Sequence, residues 1–277
     1  MNRRRRGYDT QLLAKGATLA PRVEEDPPFC WFCPTTTGKR TREHIFPQWL
    51  LKTLCAEDEF FTPTHQMWHG GTLTQRGPIK ATALVAGEVC DACNSGWMSQ
   101  LEVEARKVLF PSDGCTILTS EDQGILARWF TKTAVALNIS QNFRLLLPSA
   151  MRHALQLGMP PDLRVFLARH VDQKHGQLDW RQGAQVVALV PAGRSLEDAP
   201  SIHRVHVASI RIVDLVGVIV YSPPGGWAIP WKPTLQIWPA TGCDVDRSLI
   251  PILEHMTDAQ LVGGHAPIEQ SPNGNHK

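Results

Sequence analysis

Cys30-Trp-Phe-Cys33 and Cys90-Asp-Ala-Cys93 are two C-x-x-C pairs in one chain, with 56 residues between them. Two thiolates spaced this way grip one ion, and four complete the closed tetrahedral shell of a structural zinc site. Such a staple constrains the fold more than any hydrophobic period. It makes two distant segments meet, and it supplies folding energy to a stretch too loop-rich to hold itself together. Thioredoxin-type redox chemistry needs a single pair at a helix start after a strand, so the second pair favours zinc. The remaining cysteines, Cys55, Cys115 and Cys243, stand alone and read as small buried hydrophobes.

The rest of the chain suggests an α+β protein: a small zinc-stapled N-terminal module and a larger α+β C-terminal domain. Residues 1–28 hold the run Arg3 to Arg6 with scattered Gly and Pro, and read as a basic irregular arm. The module spans 29–112. Its interior, Thr62 to Ala83, is rich in Gly, Thr, His and Pro, which suits a long loop or a short hairpin. From Cys90 the spacing of Cys93, Trp97, Leu101 and Val108 is helical, and Phe110-Pro111 stops the helix. A second helix starts at Thr119 or Ser120, where Ser120-Glu-Asp-Gln123 fits a capping box. Residues 113–262 form the second domain, whose segments LRVFLA, AQVVALVP, HRVHVASIRIVDLVGVIVY and LQIWP read as strands. Residues 263–277 read as a flexible tail.

Charge adds little. The net charge is +2, and 19% of residues are charged. The arginine run is the only dense basic cluster, and it reads as a solvated tail or as an arm touching phosphates without sequence preference. No apolar h-region follows it, and no apolar run reaches the roughly 20 residues a bilayer needs. The expected location is cytoplasmic, with no membrane partner.

Between the cysteine pairs lies TREHIFPQWL, in which Glu43 and His44 precede Pro47, and Asn94 directly follows the last cysteine. C-x-x-C, then E-H-I-F-P, then V-C-x-x-C-N resembles the zinc-bound branch of the HNH endonucleases, over about residues 29–102. The resemblance implies a ββα-metal, treble-clef unit that cleaves phosphodiesters. It makes His44 the general base, a role that an imidazole titrating near neutrality suits. It makes Glu43 and Asn94 the holders of one divalent ion, Mg²⁺ or Mn²⁺, and Cys30, Cys33, Cys90 and Cys93 the structural zinc ligands. The partner is then DNA, with RNA as an alternative. One site per chain cuts one strand, so a double-strand cut implies a homodimer. Bacterial or phage defence is a fitting context. Pro47 would end the chain's extended run just past His44 and keep Phe46 extended.

One departure stands out. The stretch before the second pair, ATALVAGE, carries neither the Asn nor the His that in the family orients the catalytic imidazole. The alternative reading is therefore a catalytically inactive treble-clef module that binds nucleic acid or protein. Glu43 also reads as a partner for Arg40 or Arg42, and Asn94 as a helix cap. Their coincidence with the cysteine frame favours the site. Other candidates read structurally. His65 and His69 are loop residues. His203 and His206 face opposite sides of a strand. Trp227, Trp231 and Trp238 are core or loop anchors. Arg128 and Lys132, four apart, form a solvated helix face.

Overall fold

The computed structural model describes residues 29–62, 64–66, 72–75, 77–140, 147–160, 162–171, 177–189, 201–221 and 234–253. The basic arm, the tail, His69, Trp227 and Trp231 lie outside the described residues.

The first strand, β1 (Arg40–His44), ends at the imidazole. Pro47 is the N-cap of α1 (Gln48–Thr53), so the chain changes from strand to helix within three residues, as the proline requires. A ribbon follows, made of β2 (Phe60–Phe61), β3 (Thr64–Gln66), β4 (Thr72–Gln75) and β5 (Ile79–Lys80), with β3 paired to β4 and β2 to β5. This is the hairpin alternative for the Gly- and Thr-rich stretch. It returns the chain to β6 (Val85–Cys90), which pairs antiparallel with β1. Arg40 faces Cys90 and His44 faces Val85 across the ladder, whose register shifts between Thr41 and Glu43 because β6 carries one extra residue there.

β6 runs directly into a helical segment. Ala92–Met98 is wound wide, with a break at Gly96 (φ −91°, ψ −112°), before the regular α2 (Ser99–Leu109). Leu101, Ala105, Val108 and Leu109 form its buried stripe. Then comes β7 (Ile117–Leu118) and the long α3 (Ser120–Ile139). The capping box sits one residue earlier than the sequence suggests: Thr119 caps, and Asp122 reaches back to the Thr119 amide. α3 is buried on all sides from Trp129 to Ile139, which is why its apolar period is weak.

The short α4 (Ser149–Ala154) leads into a five-stranded antiparallel sheet. Its strands are β8 (Leu163–Arg169), β9 (Leu178–Leu189), β10 (Ser201–Ile212), β11 (Leu215–Tyr221) and β12 (Leu235–Trp238), in the order β12-β8-β11-β10-β9. Finally β13 (Val245–Asp246) pairs with β7. One hydrophobic cluster runs without interruption from Phe29 and Trp31, through α2 and α3, to Ile219 and Ile250. The module and the sheet thus share α3 as a common wall. Among the described residues no helix is long and apolar enough to cross a membrane.

The wall fits the sheet closely at one point. A Cβ on Gly217 of β11 would stand 2.5 Å from ring atoms of Phe130. Gly217→Ala is therefore expected to lower unfolding free energy by about 1–3 kcal/mol, with Phe130→Leu relieving part of the loss in the double variant; denaturant melts of the four proteins check this. On the neighbouring strand, burial pushes the His206 imidazole down to about 4. An imidazole that titrates near 6.5 when unfolded and about 4 when folded contributes stability above pH 6.5, lost as pH falls through that window. Melts between pH 4 and 7 should show wild type losing stability on the order of 3 kcal/mol relative to His206→Leu.

Candidate metal centre and the acid–imidazole pair beside it

The two cysteine pairs converge. The Sγ atoms of Cys30, Cys33, Cys90 and Cys93 all lie within 4.8 Å of one another. Cys33 and Cys90 are 3.6 Å apart, close to the roughly 3.8 Å edge of a tetrahedron with metal–sulfur bonds of about 2.3 Å. All four are free thiols. The cluster has the geometry to hold a metal ion.

The local fold explains the convergence. The N–H groups of Phe32 and Cys90 both donate to the Cys30 sulfur, each at 3.4 Å, which makes the first pair a knuckle around its leading residue. Trp31 and Phe32 are fully buried and hold the knuckle down. The Phe32 ring meets Trp97 edge-on at 5.9 Å. On the other side, the Asp91 amide donates to the Lys39 carbonyl at 2.9 Å, fixing the second pair against the start of β1. A hydrogen bond from the Cys93 thiol pulls Cys30 down to about 4 against the effect of burial, with help from the Cys90 and Phe32 amides. Cys30 is thus a thiolate, the form a metal requires, at neutral pH. Burial pushes Cys33 up to about 11, and the hydrogen bond to Cys30 raises Cys93. A cation in the cluster would displace the protons that Cys33 and Cys93 hold.

Asn94 stands in the wide-wound turn after Cys93, and its amide nitrogen donates to the Thr41 hydroxyl at 2.9 Å. It does not cap the helix; it ties the helix to β1 two residues before Glu43. Thr41 itself donates to the Val89 carbonyl at 3.0 Å. This side of β1 also presents Glu43, since Thr41 and Glu43 alternate with Arg42 along the strand.

Glu43 is only 4% exposed, and its partner is neither Arg40 nor Arg42. Its carboxylate is ion-paired with Lys132 of α3. The Lys132 ammonium also donates to Glu102 of α2 at 2.7 Å. Lys132 is completely buried. The expectation of a solvated Arg128–Lys132 face is overturned on both counts. Arg128 donates to the carbonyls of Leu155 and Gln156, at 2.8 and 2.7 Å, and stacks 5.0 Å over Trp97. Burial lowers the pKa of Lys132, but Glu43 and Glu102 more than offset this and leave it above the ordinary lysine value. Burial raises Glu102, opposed by Lys132. No spacing rule links positions 43, 102 and 132. Only the buried polar positions on α3 could have pointed to the cluster.

His44, on the opposite side of the strand, is half-buried. The Gln48 amide nitrogen lies 3.3 Å from its Nε2. The contact is a hydrogen bond in the tautomer that carries its lone pair on Nε2. Nδ1 is buried with no hydrogen-bond partner among the described residues.

The single cysteines correct the sequence reading: Cys55, Cys115 and Cys243 are all exposed. Trp238 is an anchor as expected, its indole donating to the Pro160 carbonyl at 3.2 Å. His65 lies in β3, not in a helix. His203 and His206 both lie in β10, three residues apart.

No family model matches the sequence, and neither the curated proteins nor the solved structures contain a match. The reading of the site rests on its own chemistry.

The sulfur cluster carries a direct test. Purified protein should contain one metal ion per chain by elemental analysis. Cys93→Ser should lose it and several kcal/mol of stability, whereas Cys243→Ser, exposed and away from the cluster, should keep both.

Proposed function

We propose that the chain is a zinc-stapled endonuclease that hydrolyses phosphodiester bonds, DNA in preference, with His44 as general base and Glu43 and Asn94 holding one divalent ion. The observation that carries this reading is the tie of both flanks of the site to one sulfur cluster. Cys90 and Cys93 start the helix bearing Asn94, and Asn94 is hydrogen-bonded into the strand bearing Glu43 and His44. Zinc suits the four-sulfur shell, which has no place for a water or substrate and so is structural.

The donor set suits a hard cation. With the Asn94 nitrogen directed at Thr41, its carbonyl oxygen faces away from that contact. With both carboxylates ionised, the cluster of Glu43, Glu102 and Lys132 carries one net negative charge, so it is a cation short of neutral. A bound Mg²⁺ or Mn²⁺ would offset charge on the scissile phosphate and the leaving oxygen. His44 supplies the proton acceptor. In the tautomer with its lone pair on Nε2, that nitrogen accepts from the Gln48 amide, and a water replacing the amide would meet the same lone pair.

A second reading keeps the zinc module but removes turnover. It is favoured by the unpartnered Nδ1 of His44 and by the burial of Glu43 against Lys132. One assay separates the two. Supercoiled plasmid is incubated with Mg²⁺ or Mn²⁺ and wild type, His44→Ala or Cys90→Ser. A nuclease nicks the plasmid; His44→Ala stays folded and zinc-loaded but loses cutting by at least about a hundredfold, and Cys90→Ser loses its zinc. A binding module retards the plasmid without nicking it. Equal cutting by wild type and His44→Ala removes the imidazole from the mechanism.

A further inference from the structure

The Lys132 ammonium lies between two carboxylates from two other elements, one on β1 and one on α2. It is fully buried, so it touches neither phosphate nor solvent. Its charge acts only on the groups around it. Both carboxylates are nearly or largely withdrawn from water, at 5% and 20% side-chain exposure, where a unit charge at contact distance outweighs solvent screening. The two acids are not equivalent. Glu43 lies on the face of β1 that carries Thr41, to which Asn94 is hydrogen-bonded, whereas Glu102 lies on α2 and can act as a counter-charge.

We infer that Lys132 and Glu102 form a built-in counter-ion pair that sets how strongly Glu43 holds a divalent cation. Lys132 is then a positioning residue that competes with the external cation for the Glu43 carboxylate. Glu102 is the second acceptor that keeps Lys132 in place when Glu43 turns toward the cation. Without Glu102 the ammonium would rest wholly on Glu43. Without Lys132, two buried carboxylates would face each other and draw in a cation to separate them. The inference rests on the proposed role of Glu43 as a ligand, but it concerns the control of that role. It also gives α3, part of the sheet-bearing half, a direct hand in the site.

The test is Mn²⁺ binding to the full chain, read by electron paramagnetic resonance from loss of the free-ion signal, with zinc content measured on the same samples. Glu43→Gln identifies the binding that depends on Glu43. Glu102→Gln, nearly isosteric, should weaken that binding roughly tenfold, and Lys132→Met should tighten it roughly tenfold or more, with zinc unchanged in both. A general loosening of the fold would weaken binding in both variants, so the opposite signs are the signature. Unchanged affinity in Glu102→Gln, or unchanged or weaker affinity in Lys132→Met, overturns the inference. If Lys132→Met fails to fold, Glu102→Gln decides alone. A further outcome is that wild type matches Glu43→Gln while Lys132→Met gains a site that Lys132→Met/Glu43→Gln lacks. In that case control by Lys132 stands, and the reading of Glu43 as a native ligand falls.

Discussion

Four sulfurs within 4.8 Å of one another hold the N-terminal half of this protein in register. The elements they join are small: a five-residue strand, a six-residue strand and short ladders of two to four residues. Paired strands of that size are marginal in water by themselves. The knuckle around Cys30 and the turn at Cys90 join these elements at a sulfur cluster with the geometry to hold a metal ion, beside the buried Trp31, Phe32, Leu50 and Leu51. The position of Asn94 next to β1 then follows, because Asn94 is adjacent in sequence to a sulfur and cannot move independently of it. A metal in the cluster would therefore stabilise the fold and the geometry of the candidate site by the same contacts.

The second tie is electrostatic and works in the opposite way. Burying an ammonium between two carboxylates contributes little net stability, because desolvation of the three charges offsets their attraction. What it contributes is selectivity of arrangement: remove one partner and an unpaired charge stays buried. Glu43, Glu102 and Lys132 come from β1, α2 and α3, so the packing in which all three meet is singled out from others that bury similar apolar area. The hydrophobic cluster running from Phe29 to Ile250 supplies the stability, and the charges choose the alignment. The four-cysteine module and the five-stranded sheet are joined through α3, which packs against both.

Much of this was legible in the residues, for reasons that differ by element. The cysteine frame is a local signal with a strict geometric consequence, and it predicted the convergence at 30, 33, 90 and 93. Pro47 acts on its neighbours alone, so the end of β1 at His44 could be read off directly. The sheet strands announce themselves through β-branched runs. Lys132 and Arg128 were misread because spacing four apart on a helix describes an exposed face only when the opposite face is the buried one. α3 is buried on every side from Trp129 onward, and no periodicity distinguishes a satisfied buried lysine from a solvated one. The lone cysteines were misread because a residue type's average burial says nothing about one position: Cys55, Cys115 and Cys243 sit at exposed turns or strand ends.

His44 has Gln48 beside its Nε2, while its Nδ1 is buried with no hydrogen-bond partner among the described residues. An imidazole whose proton is placed by a partner on one nitrogen presents its lone pair at the other in a fixed direction. Here the Gln48 amide favours the tautomer with its lone pair on Nε2. With Nδ1 unpartnered, no hydrogen bond on that side fixes the ring's rotation about its bond to the strand. The burial of Nδ1 limits that rotation sterically, without a hydrogen bond. The direction of the imidazole then depends on packing at the end of β1, and that of the Glu43 carboxylate on Lys132. Both supports belong to the surrounding fold, which is why the α+β half cannot be treated as an appendage to a self-sufficient module.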